Sequence, residues 1–326
     1  MYKIAVVDWA TSPRGDEECI VERAAFGPDS PKASVKYGRV TNGDMDSWDA
    51  LDIYHVDLVM LWHNVDMPKE VISKFKNLKG IVRNGTGYDS VDHEYARQVG
   101  IDVCNVPNYG TEEVADHSIA LALAMCRQII PIDKECKNLG WEIPNKEVIR
   151  RWRDMNFGVI GLGRIGTSVA LKAKALGFAS CFYDPYLSNG VDKSLGLYRY
   201  KNWDMFLRDM DVVSINCPLT KETHHMFTLK EFKKMHELAF LVNTARGPIV
   251  KKADCFKALR DGLIAGAALD VIEDEPLKTK EEAATPNLIA TCHSAFYSEQ
   301  ATQEMRKFAA VEALKLLEGC PENIVN

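Results

Sequence analysis

The chain has 326 residues, long for a single core, so two domains are expected. A formal net charge of -6 argues against a nucleic-acid or anionic-membrane surface, and no apolar run approaches the roughly 18 residues of a membrane-spanning helix. Met1–Asp8 holds too short an apolar stretch for a signal peptide, and nine scattered cysteines without a C-x-x-C pair indicate neither a disulfide framework nor a zinc site, so a cytoplasmic, metal-free protein is expected. In chain order, apolar runs at Ile4–Val7, Val56–Trp62 and Gly80–Arg83 alternate with polar helical stretches such as Pro68–Phe75. That alternation predicts a parallel sheet with crossover helices. Asn105–Gly110, with its proline, glycine and asparagines, reads as a boundary between units. A helix is predicted over Glu112–Ile130, its nearly all-apolar stretch Ile119–Met125 buried between domains or subunits. From Phe157 a second alternation begins, with strands at Phe157–Gly161, Ser180–Asp184, Asp211–Asn216, Ala239–Thr244, Leu263–Asp270 and Asn287–Thr291. A last helix, Thr302–Leu317, sets Met305, Phe308, Ala309 and Leu316 on one stripe.

Gly161-Leu162-Gly163-Arg164-Ile165-Gly166 follows an apolar strand and opens a helix closed by Gly177, and the next strand ends on Asp184. A lone G-x-G-x-x-G is weak evidence. Here strand, helix and an acid 18 residues past the third glycine all stand where a dinucleotide site requires them. Gly161 permits the tight turn, Gly163 lets backbone approach a pyrophosphate, and Gly166 brings helix and strand close. The helix N-terminus offers N–H groups and partial positive charge to the phosphates. Asp184 can accept from both ribose hydroxyls of NAD and would repel the 2′-phosphate of NADP, so NAD is the expected cofactor.

With these residues the chain resembles the D-isomer-specific 2-hydroxyacid dehydrogenases. The glycine loop is joined by Cys217-Pro218-Leu219-Thr220 with Glu222-Thr223, by Leu241–Gly247, and by Ala268-Leu269-Asp270-Val271 with Glu275-Pro276. Pro286–Ile289 leading to His293, Arg83–Asp89 and Asn105-Val106-Pro107 extend the match over essentially the whole chain. Within the family it looks similar to the C-terminal binding protein branch through Phe182–Ser188, Tyr297–Gln300 and His63. The resemblance implies an α/β fold of two Rossmann-like domains with parallel sheets, the substrate domain discontinuous. Its expected spans are residues 1–106 and 305–326, with an NAD domain at 107–304 and a cleft between them. It further implies a homodimer built on the helix Glu112–Ile130.

Reducing a 2-keto acid requires a clamp for the carboxylate, a hydride donor and a proton for the developing alkoxide. Arg246 has the fork geometry for the clamp. His293 suits the proton transfer, and Glu275 can hold its ring in one orientation and favour its protonated form. Taken singly each is ambiguous: an arginine after a strand is often in a structural ion pair, and Glu275 lies in the acidic run Glu273–Glu275. Cys292-His293 alone would suggest thiol or metal chemistry, but no companion ligands stand at metal spacing. Supporting roles follow from the resemblance alone. Thr86 and Gly87 are expected to offer backbone N–H groups to the substrate carboxylate, with Asn84 lining the loop, and Gly85, His63 and Phe296 are expected in the substrate site. Arg164, Ile165, Pro218, Thr223, Thr244, Ala245, Thr86 and Asp270 are expected on the cofactor, Asp270 at the nicotinamide carboxamide. Asp89 is expected to cap a helix starting near Val91. Departures from the family pattern are Cys292 where proline commonly precedes the histidine, Phe296 in place of a tryptophan, and Val114 in place of a hydroxyl residue. The expected reaction is hydride exchange between NAD(H) and a 2-keto/D-2-hydroxy acid pair. The competing reading is an NAD(H)-sensing, dimeric corepressor-like scaffold with little turnover.

Overall fold

The structure is a computed structural model describing residues 1–10, 18–26, 33–143 and 149–326. It divides into two compact units, Met1–Gly110 with Ser298–Asn326, and Thr111–Tyr297. The sequence reading put the second change of unit at residue 305. The chain changes unit at Ser298 because that serine caps a continuous helix, Glu299–Leu317, accepting from the Ala301 amide.

The first unit holds five parallel strands: β1 (Tyr2–Trp9), β2 (Ala33–Val40), β3 (Leu58–Leu61), β4 (Gly80–Arg83) and β5 (Asp102–Cys104), in the order β2-β1-β3-β4-β5. This is a doubly wound order in which sequential strands leave to both sides of β1. Strands β3 and β4 are buried along their whole length, which is why they read as unbroken apolar runs. The helix Glu299–Leu317 packs on β4, where Gly80 is required: a Cβ there would overlap the Leu316 side chain. Met305, Ala309 and Leu316 are buried as the stripe predicts, but Phe308 is exposed. A buried ion pair, Arg306 to Glu22, ties the same helix to the helix Ile20–Phe26.

The second unit holds seven parallel strands: β6 (Asn156–Ile160), β7 (Ala179–Tyr183), β8 (Tyr198–Tyr200), β9 (Val212–Ile215), β10 (Phe240–Asn243), β11 (Gly266–Leu269) and β12 (Leu288–Ala290). Their order is β12-β11-β10-β9-β6-β7-β8. The chain winds one way from β6 through β7 to β8, then returns to the other side of β6 at β9, so the switch point lies between β6 and β9. Alternate residues feed two separate cores. Val213, Ile215, Leu241 and Leu269 pack with Phe206 and Phe256 on one face, and Val212, Phe240, Val242 and Ala268 pack with Phe157 and Phe182 on the other.

The predicted helix Glu112–Ile130 is two helices, Thr111–Cys126 and Ile129–Lys137, broken where Gln128 takes a left-handed backbone (φ 53°). Within its apolar stretch, Ile119, Leu121, Ala122 and Met125 are buried in the second unit's own core. Gly266 accommodates it, since a Cβ there would overlap the Met125 methyl. The helix expected near Val91 begins at His93 and is capped by Asp92, whose carboxylate accepts from the Tyr95 amide; Asp89 is not the cap.

Candidate active site

At the switch point the loops after β6 and β9 meet. Gly161 has φ +82°, and a Cβ on it would lie 2.8 Å from the Cys217 backbone. Gly166 is pressed against the Gly161 carbonyl, so neither position tolerates a side chain. Gly163 is the opposite case: a Cβ there would meet nothing within 4 Å. It is the N-cap of the helix Arg164–Ala175 and makes no side-chain cap, which leaves the first amides of a long helix facing open space with Arg164 and Ile165 in its first turn. Asp184 leaves β7 beside this loop. One of its oxygens accepts the Leu162 amide at 2.9 Å and the other the Tyr186 amide at 3.0 Å, so it already shapes the loop before any ligand arrives. Each carboxylate oxygen retains a second acceptor site for a hydroxyl. Arg199, which the sequence reading passed over, donates to the carbonyls of Asp184, Leu187 and Ser188 and fixes the turn that follows.

After β9, Pro218 is exposed and its carbonyl accepts from the Thr223 hydroxyl at 2.7 Å. Thr223 also accepts the Thr220 amide, so its side chain serves the turn. Cys217 is no nucleophile here, because burial pushes its thiol up to about 12. After β10, the buried Asn243 bridges the loop that carries Arg246: its amide donates to the Arg246 carbonyl at 2.9 Å and its oxygen accepts the Ala245 amide at 3.0 Å. Thr244 is buried and its hydroxyl meets Ser118 at 2.7 Å, one turn past Val114. Arg246 donates one of its five N–H groups to the Ala245 carbonyl at 2.7 Å. Gly247 then packs against the loop after β11, where a Cβ would overlap the Ile272 carbonyl.

That loop carries Glu275. Its Oε2 lies 3.0 Å from His293 Nδ1, and its Oε1 accepts the Ile272 amide at 3.2 Å. His293 stands on the turn after β12 with a left-handed backbone (φ 53°), its own amide donating to the Asp270 carbonyl at 2.9 Å. The Phe296 ring stands edge-on to the His293 ring, centroids 6.5 Å apart, and Cys292 is exposed. Asp270, expected at the nicotinamide carboxamide, also has partners within the unit. It is buried, and its carboxylate accepts from the Thr291 hydroxyl (2.5 Å) and from the Ser294 and Ala295 amides (2.9 and 3.0 Å). His117 Nε2 lies 3.6 Å from the same carboxylate and 3.1 Å from Thr291 Oγ1. Those donors occupy most of the four or so acceptor sites of a carboxylate. Asp270 therefore holds the His293 turn. His117 and Thr291 were missed because nothing in their spacing joins residues 117, 270 and 291.

In the first unit, Gly85 (φ +142°), Thr86 and Gly87 follow β4. The Thr86 carbonyl accepts from the Asn105 side chain at 2.7 Å and the Val106 amide donates to the Gly85 carbonyl at 2.9 Å, so the turn is braced from β5 onward. Asn84 is buried, and neither its side-chain oxygen nor its nitrogen has a hydrogen-bond partner. His63 follows β3 and is half-buried.

Residues 119–295 match the family model described as D-isomer specific 2-hydroxyacid dehydrogenase, NAD binding domain. The chain belongs to this family. A putative 2-hydroxyacid dehydrogenase of Staphylococcus epidermidis is 34% identical over 278 residues, covering 84% of this chain and 87% of that protein. C-terminal-binding protein 1 of Caenorhabditis elegans is 32% identical over 277 residues; these are 82% of this chain but 38% of the worm protein, so the chain spans well under half of that relative. Among solved structures, D-lactate dehydrogenase from Aquifex aeolicus, complexed with NAD and lactic acid, superposes with a TM-score of 0.83 at 26% identity, over 99% of this chain and 98% of that one. As a member of the 2-hydroxyacid dehydrogenase family, the chain is an NAD-dependent oxidoreductase, and its second unit carries the NAD-binding domain. The residues present fit that cofactor: the space over Gly163, the uncapped helix N-terminus and the Asp184 carboxylate are what a pyrophosphate and a ribose need. No helix among the described residues is long and apolar enough to cross a membrane.

Proposed function

We propose that the enzyme interconverts a 2-keto acid and the corresponding D-2-hydroxy acid, with His293 as general acid and base, Glu275 as its orienter and Arg246 as the carboxylate clamp. The observation carrying this reading is the His293–Glu275 contact at 3.0 Å, set on a turn that Asp270 holds by three hydrogen bonds to its carboxylate. Bound NADH supplies the hydride and NAD accepts it. With Nδ1 turned to Glu275, Nε2 of His293 is assigned to give a proton to the keto oxygen or take one from the hydroxyl. Arg246 pairs its guanidinium with the substrate carboxylate and polarises the adjacent carbonyl. Phe296 forms an apolar wall against the catalytic ring. The backbone amides of Gly85, Thr86 and Gly87 are assigned to the substrate carboxylate, supported by the braced turn they form, with Asn84 and His63 on the same unit. On the cofactor side we assign Gly161, Gly163, Arg164, Ile165 and Gly166 to the pyrophosphate. Asp184 takes the ribose, and Pro218, Thr223, Thr244, Ala245 and Thr86 take the remaining contacts. For Thr244 this leaves backbone atoms, since its hydroxyl is committed to Ser118.

A homodimer is part of the proposal, resting on the exposed apolar side chains Ile129, Ile130, Leu139, Trp141 and Ile143 in and after the helix Ile129–Lys137. So is a cytoplasmic location, resting on cysteines without disulfide spacing. The test of the reaction is NADH oxidation against glyoxylate, pyruvate, hydroxypyruvate and branched and aromatic 2-keto acids. Turnover of at least one is expected. Tight NADH binding with no turnover on any would favour the scaffold reading, which the similarity to the worm C-terminal-binding protein supports.

A further inference from the structure

A second cluster of ligating side chains stands outside the residues assigned above. His224 and His225, in the turn after β9, and Glu273, in the loop after β11, place ligand atoms all within 4.8 Å of one another. His225 Nε2 lies 2.5 Å from Glu273 Oε1, and the two imidazole rings lie 4.0 Å apart, tilted by 33°. An imidazole nitrogen and a carboxylate oxygen each offer a lone pair to a cation. The set is held from behind: the His225 amide donates to the Pro248 carbonyl, and Glu273 Oε2 accepts the Lys252 amide at 3.2 Å. His224 is exposed, so solvent ions reach the cluster.

We propose that His224, His225 and Glu273 form a binding site for a zinc-class divalent transition ion, with water in the fourth position. Two imidazole nitrogens and one carboxylate oxygen suit Zn²⁺, Co²⁺ or Ni²⁺ and not the all-oxygen preference of Mg²⁺ or Ca²⁺. Tetrahedral ligation at about 2.1 Å sets ligand atoms roughly 3.4 Å apart, inside the present envelope. His225 and Glu273 open by about 1 Å, and the ion replaces the proton they share. Glu273 is two residues from Glu275, so filling the site fixes the loop that orients His293 and lowers turnover. That coupling rests on the role proposed for Glu275; metal binding itself does not.

Calorimetric titration of ZnCl₂ into untagged, NADH-saturated enzyme tests the site, with Co²⁺ absorption reporting its geometry. One ion per chain is expected, with tetrahedral Co²⁺ bands and no response to Mg²⁺. His224→Ala, an exposed change that leaves the fold intact, and Glu273→Gln should each weaken binding about tenfold or more. Cys292→Ser should leave it unchanged. Absence of binding to wild type, or wild-type affinity in His224→Ala, overturns the site, as does loss of binding in Cys292→Ser, which would place the ion at Cys292 and His293. Zinc inhibition that persists in His224→Ala overturns the coupling to turnover while the reaction assigned to His293 stands.

Discussion

Glu275 and His293 are joined through a carboxylate that is itself anchored: Oε2 faces His293 Nδ1 at 3.0 Å while Oε1 accepts the Ile272 amide at 3.2 Å. Both residues stand on loops that leave neighbouring parallel strands, β11 and β12, so the pair is positioned by the sheet register and not by its own attraction. His293→Gln keeps the side chain's size but cannot exchange a proton near neutral pH. It should lower kcat by about 10² to 10⁴. NADH affinity, measured by fluorescence titration, should not change; a variant with near-normal kcat would remove His293 from the proton-transfer role.

Asp270 acts on the same histidine from behind. Asp270→Asn loses acceptor capacity for Thr291, Ser294 and Ala295 and lets the His293 turn shift. A displacement of about 1 Å costs up to about 10² in rate, so kcat should fall on that scale with NADH affinity retained. A contact to the nicotinamide carboxamide would instead show as weakened NADH binding.

Gly247 joins the Arg246 and Glu275 loops by direct backbone contact. Gly247→Ala inserts a methyl into the Ile272 carbonyl and should cost about 1–3 kcal/mol of stability, read from urea unfolding. It should also lower kcat, because the overlap is relieved only by moving the loop of Glu275.

Asp184→Ala separates charge from architecture. Losing a charge-assisted bond of about 1.5–3 kcal/mol should weaken NADH binding about 10- to 100-fold. NADPH affinity should fall less, because the repulsion of its 2′-phosphate goes too. Equal losses for both cofactors would mean that only the Leu162 and Tyr186 amides depend on Asp184.

The stability of the second unit should depend on pH through Asp211. Burial pushes this carboxyl up, but hydrogen bonds from His236, the Asn156 amide and Arg150 outweigh it and hold it below its ordinary value. A lowered folded value means that the stabilisation is complete above the unfolded range, near pH 4, and is lost as pH falls through the folded value. Asp211→Asn should cost about 3 kcal/mol at pH 7, with the deficit closing below pH 4. A pH-independent deficit would assign the loss to packing.

The strands of the two units were legible to different degrees, for a physical reason. Strands β6, β9, β10 and β11 are covered on both faces and read as unbroken apolar runs, whereas the edge strands β2 and β8 expose polar side chains and pass for loop. Gly161, Gly163 and Asp184 were found because a short chain segment contains the whole motif. Asp270 was found, but its hold on the His293 turn was not, since its partners His117, Thr291 and Ser294 come together only in the fold. The break at Gln128 was hidden because apolar spacing continues through Ile129 and Ile130. His224-His225 was passed over because Glu273, its third member, lies 48 residues from His225.

The last residues of the chain run beside β5: Val325 donates to the Val103 carbonyl, and Asn326 accepts the Val103 amide. With the helix Glu299–Leu317, they belong to the unit whose other residues come first from the ribosome. At about 5–20 residues per second, synthesis of Thr111–Tyr297 takes on the order of tens of seconds. Throughout that interval β4 waits with Gly80 uncovered for the helix that carries Leu316, while the nucleotide-binding unit needs no strand from outside Thr111–Tyr297 for its sheet. The early strands of the first unit are thus the ones that need shielding from aggregation until Glu299–Leu317 has been made.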